Sequence, residues 1–257
     1  MSPKGRPEGE SVPKRVSAEG SPVTGARIFA VDAVAFDLDG TLLDTVHDLA
    51  KAVNLLLADL GLEPLPTATV RDLVGKGMAN LVRNAMLRAR GHAPDDAELA
   101  ALLPRYQAHY ESVLGHETEA FPGLVPMLAR LEADGFRLAV ITNKATRFVR
   151  PHLERAGILR YFDAVVGGDD AHAKKPDPAP LVLAAQRLGV AVTDMLMVGD
   201  SRNDAQAARA AGCPVVLLPH GYNEGEPVHG VDCDGIVPSL AAVADCVRRL
   251  GSGVATT

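Results

Sequence analysis

The sequence predicts an α/β fold, in which a doubly wound, Rossmann-like parallel sheet carries a small all-helical cap inserted after its first strand. Three observations lead to this prediction. From residue 121 onward, short apolar runs alternate with amphipathic stretches that end at glycines. The apolar runs are continuous rather than alternating with polar residues, as strands buried on both faces of a parallel sheet require. Residues 45–119 show helical periodicity and no convincing strand.

The predicted elements follow in order along the chain. A first strand is expected at 28–36. Three or four amphipathic helices are expected within 47–60, 67–88 and 97–114, and Gly75-Lys76-Gly77 is expected to interrupt the second stretch. Further helices are expected at 124–133, 145–156, 180–188 and 204–211, and they alternate with strands at 137–142, 164–166, 195–198 and 214–218. We therefore divide the chain into a disordered tail (1–26), an α/β core (27–44 and 120–257) and a helical cap (45–119).

Composition narrows the range of functions. The 257 residues are 47% hydrophobic and 23% charged, so a substantial core is expected, and the formal net charge of −6 leaves no basic field for nucleic acid. No run of eighteen apolar residues exists, so no membrane span is expected. The three cysteines lack metal-ligand spacing and the tail lacks an apolar signal segment, which favours reduced thiols and a cytoplasmic location.

Two acids at the end of the first strand are the most informative feature. Asp37 and Asp39 follow a buried strand with one residue between them, so alternation along the chain points both carboxylates to the same side. Gly40 then permits a tight turn. Two such carboxylates repel each other unless a cation lies between them. A strand-end turn with solvated acids is the structural alternative, but the rest of the chain favours a metal-dependent catalytic pair.

Further polar residues follow the other core strands. Thr142, Asn143 and Lys144 come after one strand, and Asp200 begins a polar run after another. Between them, Lys174 and Lys175 lie just ahead of a helix. Because ligands of such sheets bind beyond the carboxyl ends of the strands, these side chains are expected to meet Asp37 and Asp39 at one edge. Oxygen ligands for Mg²⁺, donors for phosphoryl oxygens and a lysine together are the requirements of phosphoryl transfer.

Four sequence blocks carry a resemblance to a known family. They are FDLDGTLLDT, VITNK, KKPDPAP and VGDSRNDAQAARAAG, and in order and spacing they resemble the motifs of the haloacid dehalogenase superfamily over nearly the whole chain after the tail. The helical insertion resembles the C1-type cap of that superfamily. Within it, VGKG in the cap, FPG at its exit, KKPDPAPL and GDSRND are most similar to bacterial phosphoglycolate phosphatases.

The resemblance implies a mechanism with Mg²⁺ and a small phosphorylated metabolite as substrate. Asp37 is implied as the nucleophile that forms an aspartyl-phosphate, and Asp39 as the general acid and then the general base. The metal is implied to bind Asp37, the main-chain carbonyl of Asp39, and Asp200. The implied substrate is 2-phosphoglycolate, which would be split into glycolate and phosphate.

Supporting roles are implied in the same way. Asp204 would orient Asp200 and Lys175 without touching the ion, Thr142 and Asn143 would donate to phosphoryl oxygens, and Lys175 would neutralise charge on the nucleophile and the phosphate. Lys175 is preferred to its neighbour Lys174 because it directly precedes a proline, as the family's lysine does.

Several residues receive a structural interpretation instead. Lys144 is interpreted as a surface residue at a helix start in preference to a catalytic residue. Arg202 and Asn203 are interpreted as support for their loop in preference to contacts with substrate. The eight histidines show no metal spacing and are interpreted as surface or packing residues: His47, His92, His109, His116, His152, His172, His220 and His229. For Lys76, two interpretations stay open. It lies in a helix-loop-helix junction, or it and neighbouring backbone amides meet the substrate's carboxylate.

Alternative functions remain at this point. Another small-metabolite or sugar-phosphate phosphatase and a β-phosphoglucomutase-like phosphomutase share the implied residues. A true dehalogenase is disfavoured because those relatives lack the second acid, which Asp39 supplies here. A non-catalytic phospho-accepting module is disfavoured because neither Asp37 nor Asp39 is missing and because the helical insertion is foreign to receivers. The sequence leaves open whether the protein is a monomer or a homodimer.

Overall fold

A parallel six-stranded sheet forms the centre of the protein in a computed structural model that describes residues 27–251; the predicted tail lies outside them. The strands are β1 (Phe29–Val31), β2 (Ala33–Phe36), β3 (Leu43–Asp44), β4 (Glu119–Ala120), β5 (Arg137–Ile141), β6 (Ala164–Val166), β7 (Met195–Gly199), β8 (Val215–Leu217), β9 (Gly235–Ile236) and β10 (Val247–Arg249). The central sheet has the order β6-β5-β2-β7-β8-β9, and each neighbouring pair is parallel. This topology confirms the predicted fold class.

Helices cover the sheet and form the insertion. They are α1 (Val46–Asp59), α2 (Thr67–Arg71), α3 (Met78–Arg90), α4 (Asp96–Val113), α5 (Leu124–Ala133), α6 (Thr146–Arg155), α7 (Ala179–Leu188), α8 (Arg202–Ala211) and α9 (Leu240–Val243). None of the helices in the described residues is both long enough and apolar enough to cross a membrane.

The two faces of β2 show why the strand pattern is continuous. Val34 and Phe36 pack in a cluster with side chains of α5, α6 and α9, whereas Ala33 and Ala35 pack in a second cluster with α7 and α8. All four side chains are fully buried. A strand covered on both faces has no position for a polar residue until it ends, and it ends directly before Asp37.

The helical insertion has its own apolar cluster and is connected to the core chain through one pair of strands. Helices α1 to α4 pack around a separate apolar cluster that includes Leu57 and Tyr106. The chain enters through β3 and leaves through β4, and these two strands pair antiparallel. This arrangement is consistent with a C1-type cap, while the predicted domain boundaries remain a prediction.

Two elements differ from the sequence-based expectations, and one expected interruption is confirmed. The single strand expected at 28–36 is two strands, because the chain breaks at Asp32 and β1 pairs with β10 in a separate two-stranded sheet. The 67–88 stretch is interrupted as expected, because Gly75 and Gly77 have positive φ angles of 136° and 84°, which a helix cannot accommodate. Residues after 218, for which no element was predicted, contain β9, α9 and β10.

Candidate active site

Asp37 and Asp39 lie at the carboxyl end of β2, at the centre of the sheet. The Asp37 backbone N–H donates to the carbonyl of Val198 (2.9 Å), which continues the β2–β7 ladder by one residue. Gly40 follows with φ 91°, and a Cβ at this position would collide with the Asp200 carboxylate. A glycine is therefore required where the turn brings the two strand ends together.

Asp200 lies directly after the neighbouring strand β7 and is buried. Its carboxylate accepts hydrogen bonds from the Thr41 hydroxyl (2.7 Å) and from the Tyr222 backbone N–H (2.6 Å). One carboxylate oxygen each from Asp37, Asp200 and Asp204 lie within 4.8 Å of one another. The structure thus brings together Asp37, which follows β2, and Asp200, which follows β7, as the sequence predicts.

Asp204 and Lys175 form a fully buried ion pair behind these acids. The Lys175 ammonium donates to Asp204 Oδ1 (2.7 Å) and to the carbonyl of Ile141 (2.7 Å), and it lies 2.9 Å from Asp37 Oδ1. The other Asp204 oxygen accepts from the backbone N–H of Ser201, the N-cap residue of α8 (3.1 Å). Lys175 is therefore held by two hydrogen bonds and lies against Asp37 as an ion pair.

Burial and neighbouring charges shift the pKa values of the acidic cluster and of Lys175. Burial raises the pKa of Asp37 to about 6, and Lys175 only partly offsets this effect. Burial, together with the charges of Asp204 and Asp37, also raises the pKa of Asp200 well above its ordinary value. Burial opposes the charge on Lys175, but Asp204 and Asp37 hold its pKa above the ordinary value.

The charges and donors at the site fit a divalent metal ion. Its four carboxylates, those of Asp37, Asp39, Asp200 and Asp204, face only two ammonium groups, those of Lys144 and Lys175. The excess of two negative charges is what one divalent cation carries, and carboxylate and carbonyl oxygens are the ligands of Mg²⁺. Bound metal would favour the ionised carboxylates that burial opposes.

Lys144 corrects an expectation from the sequence. It is not a surface residue but is only 4% exposed, and its ammonium lies 2.8 Å from Asp39 Oδ1. It also lies 4.8 Å from the centre of the Tyr110 ring, which belongs to α4. Burial alone would raise the pKa of Asp39, but the charges and hydrogen bonds around it, led by Lys144, hold that pKa below its ordinary value.

Thr142 and Asn143 follow β5 and are both buried beside the acids. The Thr142 hydroxyl accepts from the Lys144 backbone N–H (3.2 Å). The Asn143 amide donates to the carbonyl of Lys175 (2.8 Å) and to the carbonyl of Gly75 in the insertion (3.0 Å). Asn143 thus ties the loop of the helical insertion to the core.

A cavity of about 40 Å³ lies between the core and the helical insertion. The core contributes one side, here called the core rim: Asp37, Asp39, Thr142, Asn143 and Lys144. The insertion contributes the other side, here called the cap wall: Leu49, Val74, Gly75, Gly77, Met78 and Leu81. The cap wall carries no charged or polar side chain.

Lys76 lies between two cap-wall glycines but does not line the cavity. Its ammonium forms a 2.8 Å ion pair with Glu224 of the core, and both side chains are more than a third exposed. Asn203 also approaches Glu224 (3.4 Å), in keeping with its predicted role in its loop. The structure therefore directs Lys76 away from the acids.

Two residues near the acids were not singled out from the sequence. Thr41 and Tyr222 both donate to Asp200, and the Tyr222 hydroxyl also donates to Asp44 (2.5 Å) and accepts from the backbone N–H of Thr45 (2.8 Å). Thr41 lies inside the first sequence block, FDLDGTLLDT, so its position in the sequence could have identified it as a site residue. Tyr222 stands in a glycine-flanked loop with no periodic pattern, and no sequence signal identified it.

Comparisons with known proteins agree with this geometry. A family model described as haloacid dehalogenase-like hydrolase matches residues 34–218. A phosphoglycolate phosphatase of Nitrosospira multiformis is 48% identical over 219 residues, covering 85% of this chain and 96% of the relative. The phosphoglycolate phosphatase of Escherichia coli K12 is 42% identical over 226 residues, covering 82% and 90%.

Solved structures show the same fold. A predicted phosphoglycolate phosphatase from Haemophilus somnus aligns with a TM-score of 0.79 at 32% identity, covering 84% of this chain and 97% of that one. CbbY from Rhodobacter sphaeroides, solved in complex with phosphate, aligns with a TM-score of 0.70 at 26% identity, covering 83% and 96%.

Proposed function

The chain belongs to the haloacid dehalogenase-like hydrolases and is a phosphoric monoester hydrolase, and from this premise we propose that it hydrolyses 2-phosphoglycolate to glycolate and phosphate. We propose further that it requires Mg²⁺ and passes through an aspartyl-phosphate on Asp37. The observation that carries the proposal is the clustering of the Asp37, Asp200 and Asp204 carboxylates within 4.8 Å, with the Lys175 ammonium against Asp37.

In the first step, a carboxylate oxygen of Asp37 attacks phosphorus and the bond between phosphorus and the ester oxygen breaks. Asp39 gives its proton to that oxygen, so that glycolate leaves as the alcohol. The ion pair with Lys144 keeps Asp39 ionised in the free protein. The negative charge of a phosphoryl group beside Asp39 favours its protonated form, which is the form the step needs.

In the second step, Asp39 takes a proton from water, whose oxygen attacks phosphorus while the bond to Asp37 breaks. Inorganic phosphate leaves and Asp37 is regenerated as a carboxylate. Lys175 and the hydroxyl of Thr142 stabilise the charge on the phosphoryl oxygens. The Asn143 amide, whose donors are used by Gly75 and Lys175, holds the loops that surround this charge.

The metal would be held by Asp37, the carbonyl of Asp39, and Asp200, with Asp204 orienting the cluster from behind. When bound, Mg²⁺ supplies a fixed positive charge that neutralises phosphoryl oxygens and keeps Asp37 ionised.

The shape of the cavity supports a short substrate. The cavity beside the acids is small, which is consistent with a short leaving group. The cap wall is apolar and limits access of solvent from its side, which favours transfer to Asp37 over direct attack by water.

A substrate panel tests the proposal. Phosphate release is measured for about twenty phosphorylated metabolites, with Mg²⁺ and with EDTA, and the substrates are ranked by kcat/KM. We expect Mg²⁺-dependent turnover with 2-phosphoglycolate ranked first. Turnover that survives EDTA would refute the metal requirement, and a sugar phosphate in first place would refute the proposed substrate.

A further inference from the structure

Lys144 has fewer partners than the other lysine of the site. The Lys175 ammonium donates two hydrogen bonds and also forms ion pairs with Asp37 and Asp204. Lys144 is just as deeply buried, yet within residues 27–251 its ammonium has one hydrogen-bond acceptor, Asp39, and one aromatic ring, Tyr110. A buried ammonium group with unused donors is costly, and an anionic ligand would satisfy it.

The position of Lys144 places those donors on the leaving-group side of the cavity. Asp39 must lie within hydrogen-bond distance of the ester oxygen to protonate it. The Lys144 ammonium is 2.8 Å from Asp39 and lines the same cavity. An anionic group attached to the first carbon beyond the ester oxygen therefore comes within reach of Lys144.

The helical insertion offers no competing cation. The cap wall consists of apolar side chains and glycines, and Lys76 pairs with Glu224 outside the cavity. Lys174 is exposed and does not line the cavity either. Among the described residues, Lys144 is the one positively charged side chain of the cavity lining.

We propose that Lys144 binds the carboxylate of the leaving group and thereby selects phosphoesters whose ester carbon bears a carboxylate; the inference rests on the proposed function. Discrimination comes from the core rather than from the cap. An uncharged leaving group would leave the buried ammonium unsatisfied, and sites built to pair a polar group reject analogues that lack it.

The test compares two substrates of nearly equal shape, 2-phosphoglycolate and its primary amide, which lacks the negative charge. The readout is the ratio of their kcat/KM values. We expect the unmodified protein to favour the acid by about 100-fold or more, and Lys144→Met to reduce that ratio to within about threefold. Because damage to Asp39 or to folding affects both substrates, it cancels in the ratio.

Two further variants complete the comparison. Lys144→Gln keeps a donor for Asp39 but has no charge, so we expect it to lose the preference for the acid over the amide as well. Lys174→Met removes an exposed ammonium that lies beside Gly77 of the cap wall, and it should leave the ratio unchanged. If both Lys144 variants keep the preference for the acid, or if Lys174→Met loses it, the inference is wrong.

A binding measurement separates this inference from the proposed function. Calorimetric titration with 3-phosphonopropionate, a non-hydrolysable analogue, is compared with titration of its amide in the same proteins. We expect at least about tenfold tighter binding of the acid by the unmodified protein and equal binding by the Lys144 variants. Equal binding by the unmodified protein would overturn the role of Lys144, whereas absent turnover with intact selective binding would overturn only the proposed reaction.

Discussion

The core rim and the cap wall enclose one cavity, but the core rim is polar and charged whereas the cap wall is apolar. Every charged or hydrogen-bonding side chain of the cavity follows β2 or β5, and every side chain that the insertion contributes is apolar. Strands buried on both faces hold their ends in fixed positions, which suits groups that must meet a reacting atom within a fraction of an ångström. The helical insertion instead determines the size of the cavity and its access to water. Core substitutions should therefore change turnover and the choice of leaving group, whereas substitutions in the insertion outside the cavity should have little effect on either.

The largest effect is expected from Asp37→Asn in the core rim. An amide cannot act as the nucleophile, so we expect turnover to fall by at least about 10⁴-fold for every substrate. Labelling of the protein by a phosphoryl donor, followed by mass spectrometry, should show no phosphoenzyme. Asp163→Asn is the matched control, because Asp163 pairs with Arg137 at the other end of the sheet. Appreciable turnover by Asp37→Asn would mean that the nucleophile is misassigned.

The next effect is expected from Lys175→Met. Its removal leaves the buried carboxylates of Asp204 and Asp37 without their counter-ion, and breaking a buried pair in this way costs about 3–5 kcal/mol. Urea unfolding should report this loss, and kcat should fall by about 10²-fold or more at saturating substrate. Lys174→Met, one residue earlier, should change neither quantity. The reverse outcome would assign the family's lysine to Lys174.

A smaller effect is expected from pH in the absence of metal. The folded-state pKa of Asp37 is raised to about 6, so the folded protein binds a proton that the unfolded chain releases near pH 4. The stability contributed by this group is therefore lost as pH rises from about 4 to about 6, by on the order of 2–3 kcal/mol.

Thermal unfolding in EDTA, with and without added Mg²⁺, measures this dependence. We expect Mg²⁺ to stabilise the protein increasingly through that pH window, because it binds the ionised form. Asp37→Asn lacks the titrating group and should show a flatter dependence on pH. An identical pH dependence of the two proteins would exclude Asp37 as its source.

The smallest effect is expected from Lys76→Ala in the insertion. An exposed ion pair contributes roughly 0–1 kcal/mol, and the Lys76 ammonium lies at Glu224 rather than in the cavity. We expect less than about a twofold to threefold change in kcat/KM for 2-phosphoglycolate and for its amide alike. A rise in KM confined to 2-phosphoglycolate would show that Lys76 meets the carboxylate. It would contradict the conclusion that only the core supplies charged groups to the cavity.

The sequence was most informative where a residue's place depends on a strand end. Asp37 and Asp200 were predicted to meet because the ends of parallel strands converge at one edge, and they do. Lys144 also follows a strand, but it was wrongly predicted to be exposed. Lysine is usually exposed, and the contact of Lys144 with Tyr110 of the insertion could not be read from the sequence. Tyr222 was missed since its partner Asp44 lies 178 residues away in the chain. Contacts of this kind depend on tertiary packing, which leaves no periodic trace in the sequence.

The break of the first strand at Asp32 was missed for a related reason. Apolar residues on both sides of it continue the strand pattern, and only pairing with β10 near the other end of the chain distinguishes β1 from β2. A local pattern reports that a segment is extended but not which sheet it joins.

Asp204 is a position at which a common stabilising substitution would damage the active site. It occupies the third position of α8, where consensus redesign of helix starts commonly installs a glutamate. Here the extra methylene would drive the carboxylate into the Lys175 ammonium or into Gly199, whose missing Cβ already marks how little room exists. Asp204→Glu would thus stabilise the start of α8 in isolation but lower activity. This position is best left unchanged when variants are made to increase thermal stability.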